Sequence, residues 1–235
     1  YYNNHLALPI LKEYNIPALF FISSNHIEQN KCFWWDVIYR ERIRVGVKKD
    51  DIFKEIELLK DKKNPEIENY IKENFGNTAF NPLGDIDRPF TPKELKEFSK
   101  DKYVFIGNHT SNHAILTNYT SNEVREEIEN AQKSILKMTG ILPTIISYPN
   151  GNYSKNIIKV SKMVNGLKLG ITTIHKKNLF PLFSKEDNSF ILSRFTLWGN
   201  KNIASQCKLF RSDIHLYKSI IKILKKRKYE DSMSY

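Results

Sequence analysis

What most constrains the fold of this chain is an alternation of compact apolar runs with capped amphipathic helices. Residues 17–23 (PALFFIS), 103–107 (YVFIG), 144–148 (TIISY), 168–174 (KLGITTI) and 190–197 (FILSRFTL) have strand length and are rich in β-branched and aromatic side chains. The first is apolar at successive positions and bounded by turn formers, the pattern of a strand covered on both faces of a parallel sheet. Helices are predicted between these runs. Residues 5–14 carry Leu6, Ile10 and Leu11 on one side, with Asn15 as a stop. Thr91-Pro92-Lys93-Glu94 combines a capping Thr, Pro at the first helical position and Glu three residues after the cap. Thr120-Ser121-Asn122-Glu123 is a second capping box, opening a helix that runs to Gly140. Residues 154–164 read as a further helix. Helix and strand alternating in this way predict an α/β fold with a mainly parallel sheet or barrel.

One stretch breaks the alternation. Residues 25–90 carry Phe33, Trp34 and Trp35, then charged helical segments at 36–44, 51–60 and 65–75, then a loop at 77–88 with Pro82 and Gly84. This reads as a helical insertion, at about 27–90, lying over one end of the domain. Trp34 and Trp35 admit two readings, core packing or stacking on a sugar face. Residues 1–211 are therefore expected to form one domain, and 212–235 a basic C-terminal helix and tail. Leu216, Ile220 and Leu224 line one face of that helix, and Lys225-Lys226-Arg227-Lys228 closes it. Packing on the domain, with cations at the helix C-terminus, is the simpler reading. Binding to a membrane surface is the sharper one.

Composition excludes little. At 235 residues the chain suits one large domain, and no apolar run approaches the length of a membrane span. Its net charge of +11 comes from dispersed lysines interleaved with Glu. With no recognisable reading motif, nucleic acid is not expected as a partner. Cys32 and Cys207 sit in no metal-binding spacing and read as buried, reduced thiols, with one disulfide as the alternative that spacing does not decide.

The segment richest in chemistry is His109-Thr110-Ser111-Asn112-His113. Two histidines four apart on a helical turn would project side by side and could share one metal ion. They follow a predicted strand directly, at the end where α/β folds collect their active sites. A catalytic metal normally takes a third protein ligand. Asp101 precedes the strand and so lies at its other end; Asp36 and Asp85 belong to the insertion. His175 follows a strand, but nothing in the sequence brings it to the pair. The set of two is incomplete.

These motifs resemble those of the polysaccharide deacetylase family, which carries the NodB homology domain. His109-Thr110-x-x-His113 looks like its His-Ser/Thr-x-x-His zinc motif, and Tyr148-Pro149-Asn150-Gly151 its Tyr-Pro-Tyr-Gly turn. Residues 7–22 resemble its first helix and second strand, residues 90–113 its approach to the zinc motif, and Leu192-Ser193-Arg194-Phe195 its Leu-Pro-Arg-Ile segment. The likeness covers roughly residues 1–199, interrupted by the insertion. It implies a distorted (β/α) barrel of mainly parallel strands whose first strand is missing here. It also implies hydrolysis of N-acetyl groups from amino sugars of a glycan, with a divalent metal, most simply zinc. His109 and His113 would be the metal ligands, Thr110 a brace between them, and the backbone at Asn150 would face the oxyanion. Tyr148, Pro149, Gly151, Trp34 and Trp35 would line the substrate. The family's paired aspartates, a general base and a metal ligand, fall upstream of Tyr1. Ser147 stands where the family often has Arg, and Arg194 is expected to supply that charge; His175 is a candidate for the late catalytic histidine. Three competitors stand beside this reading: another metal hydrolase on a similar barrel, an inactive carbohydrate-binding relative, and a basic nucleic-acid binder. The glycan, the compartment (cytoplasm or bacterial cell envelope) and the oligomeric state stay open.

Overall fold

A computed structural model describes residues 3–178 and 188–212. In chain order the regular elements are α1 (Leu8–Tyr14), β1 (Ala18–Ile22), α2 (Ser24–Glu28), α3 (Trp34–Arg44), α4 (Lys49–Leu59), α5 (Asn64–Phe75) and α6 (Pro92–Phe98). They continue with β2 (Val104–Asn108), α7 (Ser121–Thr139), β3 (Ile145–Ser147), α8 (Lys155–Met163), β4 (Leu169–Ile171) and α9 (Ile203–Arg211). The basic tail helix expected from Ser212 onward lies almost wholly outside the described residues.

The four strands form one parallel sheet in the order β1-β2-β3-β4. Each strand lies beside its predecessor, the sequential order of a (β/α) barrel, whereas a doubly wound sheet reverses its order. The α/β parallel class expected from the sequence is therefore present. Register puts Ile22, Asn108 and Ile146 level with one another, so the loops leaving β1, β2 and β3 gather at one end. At Gly107 a Cβ would lie 2.6 Å from the Phe21 ring and 3.2 Å from the Ile145 carbonyl, which is why β2 has no side chain there.

The capping signals form as read. Thr91 and Thr120 each accept from the backbone N–H three residues on, and Glu94 and Glu123 accept the cap N–H in return. Gly140 ends α7 in the left-handed conformation (φ 79°). Val124, Ile128, Ala131, Ile135 and Met138 make the buried stripe of α7, which spans two clusters. One joins Leu8, Ile22, Leu95, Phe98 and Ile106; the other joins Ala114, Ile146, Tyr148, Ile157 and Val160. Helices α3, α4 and α5 close around a third cluster that includes Trp34, Ile38, Ile52, Ile67 and Phe80.

Four expectations need correction. Residues 190–197 are not a strand; a single parallel bridge, Ile171 to Leu192, is all that forms. Leu192 bonds Gly170 and Thr172, and the Arg194 N–H still reaches the Ile174 carbonyl, while the Asn178 side chain binds the N–H and carbonyl of Ser193 on the side away from β4. β4 ends at Ile171, short of residue 174, because the Thr172 hydroxyl accepts the Ile174 N–H and turns the chain. β1 is only half buried up to Phe21, because its second edge has no strand partner among the described residues. Cys207 is half buried, and only Cys32 lies in the core; both are free thiols. Helices α2 and α9 were not anticipated from the sequence. Among the described residues no helix is long and apolar enough to cross a membrane.

Candidate active site

The loop after β2 is irregular, so His109 and His113 do not share a helical turn as the spacing suggested. Thr110 (φ 64°) and His113 (φ 54°) both adopt the left-handed conformation. For a β-branched residue such as Thr110 this costs about 1–2 kcal/mol and must be over-determined by its surroundings. The surroundings do so. Asn108, fully buried, accepts the Thr110 N–H through Oδ1 at 2.7 Å. Its amide nitrogen donates to the Ile128 carbonyl and to Gln132 Oε1, both at 3.0 Å. The Thr110 hydroxyl accepts the Ala114 N–H at 3.0 Å and closes the loop. Glu127, on the buried side of α7, accepts the backbone N–H of Asn112 at 3.0 Å and its side-chain amide at 2.6 Å. Burial raises the Glu127 carboxyl above its ordinary range, while the bonds from Asn112 and Ser111 oppose that rise. Ser23 Oγ donates to the His109 carbonyl, and the Asn25 N–H donates to the Ser111 carbonyl.

Folding the loop back on itself brings the two imidazoles together, with ring centroids 4.7 Å apart and planes at 82°. The His109 N–H donates to the Ile22 carbonyl, one step beyond the β1–β2 ladder. His109 Nδ1 lies 2.6 Å from the Ser147 carbonyl at the end of β3. A carbonyl can only accept, so Nδ1 carries the proton and Nε2 presents its lone pair. Burial pushes the His109 pKa down to about 4; the Ser147 bond opposes this and the Arg194 charge adds to it. Burial pushes His113 down to about 2, with the positive forms of His109 and His26 contributing. Both rings are therefore neutral near pH 7, the state in which imidazole binds a metal.

The other expected site residues fall in different places. Arg194 is exposed, but close enough for its charge to register on His109. Asn150 is exposed at the same end of the sheet in a left-handed conformation (φ 57°), followed by Gly151 at φ 78°. Tyr148 cannot contact substrate through its side chain. It is fully buried, and its hydroxyl donates to the Phe190 carbonyl at 3.0 Å. Pro149 is buried beside it. Trp34 is only 6% exposed, inside the cluster of the insertion, so it offers no free face to a sugar. Trp35 is half buried, 4.6 Å from the His113 ring and stacked on Phe33 at 4.5 Å and 11°. His175 is exposed, with its ring near Phe195 and Phe210. A cavity of about 400 Å³ along β1 is lined by Phe21, His26, Phe33, Asp36 and Asp87, but neither His109 nor His113 opens into it. Among the described residues no group of three or more His, Cys, Asp or Glu is placed to hold a metal ion.

Ser147, Asn108, Asn112 and Glu127 serve the loop but carry no motif. Only Glu127 had a sequence signal: it falls on the apolar stripe of Val124, Ile128 and Ala131, where a carboxylate needs a buried partner. The family model for polysaccharide deacetylases matches residues 3–167. Among curated proteins none matches the chain. Among solved structures, a Streptococcus pyogenes deacetylase, PplD, in complex with acetate is similar at TM-score 0.55 and 16% identity, over 89% of this chain and 66% of its own. IcaB from Ammonifex degensii is similar at 0.52 and 14%, over 88% and 66% respectively. A de-N-acetylase from Aggregatibacter actinomycetemcomitans is similar at 0.51 and 17%, over 88% and 69%. At such identities the likeness concerns the fold, and this chain spans about two thirds of the length of these structures. The matched span takes in β1, the His109–His113 loop and the turn after β3, over well more than half of the sequence, so the chain belongs to the polysaccharide deacetylase family.

Proposed function

We propose that this protein removes N-acetyl groups from amino sugars of a glycan, hydrolysing a non-peptide amide with the help of a divalent metal, most simply zinc. The observation that carries the reading is the pair of neutral imidazoles at the C-terminal end of β2, one with its tautomer set by the Ser147 carbonyl. That donor set fits two of the protein ligands of such a metal. When bound, the metal supplies Lewis acidity toward the acetyl carbonyl and an acidified water. The protein's own work lies in holding and orienting. His109 and His113 are the ligands, Thr110 keeps the loop that presents them, and the backbone at Asn150 lies on the side where the oxyanion develops. Arg194 adds positive charge beside His109. Trp35 and Gly151 would contact the amino sugar. On this reading a third ligand and the general base come from outside the described residues. Residues 1–211 act as one domain, whose insertion shapes the choice of glycan.

The test is release of acetate from a chitin-type oligomer, measured after chelation and after return of Zn²⁺ or Co²⁺. Metal-dependent release that is lost in His109→Ala and His113→Ala supports the reading. Release unchanged by chelation or by those substitutions refutes it. Glycan retention with no acetate released in any metal state would favour an inactive carbohydrate-binding relative.

A further inference from the structure

The metal loop is held from two sides, and one of them is the insertion. Asn64, the first residue of α5, donates through Nδ2 to the Asn112 carbonyl at 2.6 Å. That carbonyl belongs to the peptide plane joining Asn112 to His113, so this bond helps set the left-handed φ of His113. The Asn64 amide is itself oriented. Tyr119 Oη donates to Asn64 Oδ1 at 3.0 Å and accepts the Asn64 N–H at 2.6 Å, which leaves Nδ2 to face Asn112. The His113 ring is confined as well. His109 lies on one side, and on the other are Trp35 at 4.6 Å and Phe33 at 5.6 Å. Trp35 cannot swing away freely, because Phe33 stacks on it and Trp34 meets it edge-on at 5.4 Å.

We propose that Asn64 and Trp35, both supplied by the insertion, are positioning residues for His113, so that the insertion is a structural part of the metal site. The proposal rests on the reading of His109 and His113 as ligands. It assigns the insertion a role beyond glycan choice: without it, His113 keeps its place in sequence but loses the peptide orientation and the aromatic wall that aim its ring.

The experiment is a Co²⁺ titration of the whole protein, followed by the visible absorption of the bound ion, with thermal unfolding of every variant measured in chelator. Asn64→Leu removes the donor without adding charge, and Trp35→Leu removes the wall. Each is expected to weaken Co²⁺ binding by about 10-fold or more and to shift the absorption band, as loss of a group orienting a ligand does. Trp35→Phe keeps an aromatic wall and is expected to restore most of the affinity, which also covers the case in which Trp35→Leu folds poorly. Asn118→Ala is the control. Asn118 ties the insertion to the domain through the Lys60 and Lys62 carbonyls without touching the loop, and its loss is expected to leave the Co²⁺ spectrum unchanged. Parent-like affinity and spectrum in both Asn64→Leu and Trp35→Leu would overturn the proposal. So would an equal loss in Asn118→Ala, which would mean that docking of the insertion in general is what counts. Undiminished Co²⁺ binding in His109→Ala and His113→Ala would instead remove the ligand assignment on which the proposal stands.

Discussion

Replacing His109 by Asn should make the metal-free protein more resistant to acid. The amide nitrogen of Asn branches from Cγ as Nδ1 does, so it can still donate to the Ser147 carbonyl, but it cannot take up a proton. In the folded protein the His109 pKa lies at about 4 against an ordinary value of 6.5, chiefly because the ring is buried. The unfolded chain therefore binds a proton that the folded chain refuses between these values. Stability from this group is fully present above pH 6.5 and is lost as the pH falls toward 4. The loss amounts to at most about 2 kcal/mol at pH 5 and about 3 kcal/mol at pH 4, trimmed by what solvent contact the ring keeps. His113 adds in the same direction, and removing the His109 charge relieves it in part. Urea denaturation in chelator at pH 7, 6 and 5 measures the effect. The parent should lose stability steeply across this range, and His109→Asn should lose markedly less. If the two curves run parallel, the ring is not held neutral by burial and the electrostatic account of the site is wrong.

Asn108→Ala removes a fully buried amide with three hydrogen bonds and leaves the Thr110 N–H without its acceptor; a loss of about 3 kcal/mol in urea denaturation is expected, and a loss under about 1 would contradict the bracing role. Gly170→Ala should destabilise by about 1–3 kcal/mol in the same assay, because its Cβ would lie 2.6 Å from the Phe190 carbonyl oxygen and from the Tyr148 hydroxyl; an unchanged midpoint would refute that packing. Tyr148→Phe should cost about 1 kcal/mol of stability and leave acetate release per folded molecule unchanged; a fall in kcat/KM with stability intact would make Tyr148 a substrate contact after all.

Elements whose signals are local were legible in the sequence. The two capping boxes specify the starts of α6 and α7 because cap and partner stand three residues apart, and Gly140 ends α7 for the same short-range reason. Strands β1, β2 and β3 were legible as apolar runs, and their alternation with helices implied parallel order. The histidine pair was legible as residue types at a spacing, but the reason that spacing works was not. A helical turn would have aligned the rings through i, i+4 geometry. The structure aligns them through two left-handed residues held by Asn108, Glu127, Asn25 and Asn64, which are scattered over some hundred positions. The strand expected at 190–197 is reduced to one bridge because its neighbour β4 ends at Ile171, where the Thr172 hydroxyl turns the chain.

The sequence by itself therefore determined the α/β class, the helix boundaries with local caps, and the presence of two imidazoles just past a strand, since each follows from chemistry within a few residues. Tertiary structure alone decided which imidazole nitrogen is free, that Tyr148 and Trp34 are core, and that the insertion reaches the site through Asn64 and Trp35. Those outcomes depend on hydrogen bonds and ring contacts between segments tens of residues apart, and a pattern read along one chain does not encode which distant groups will meet.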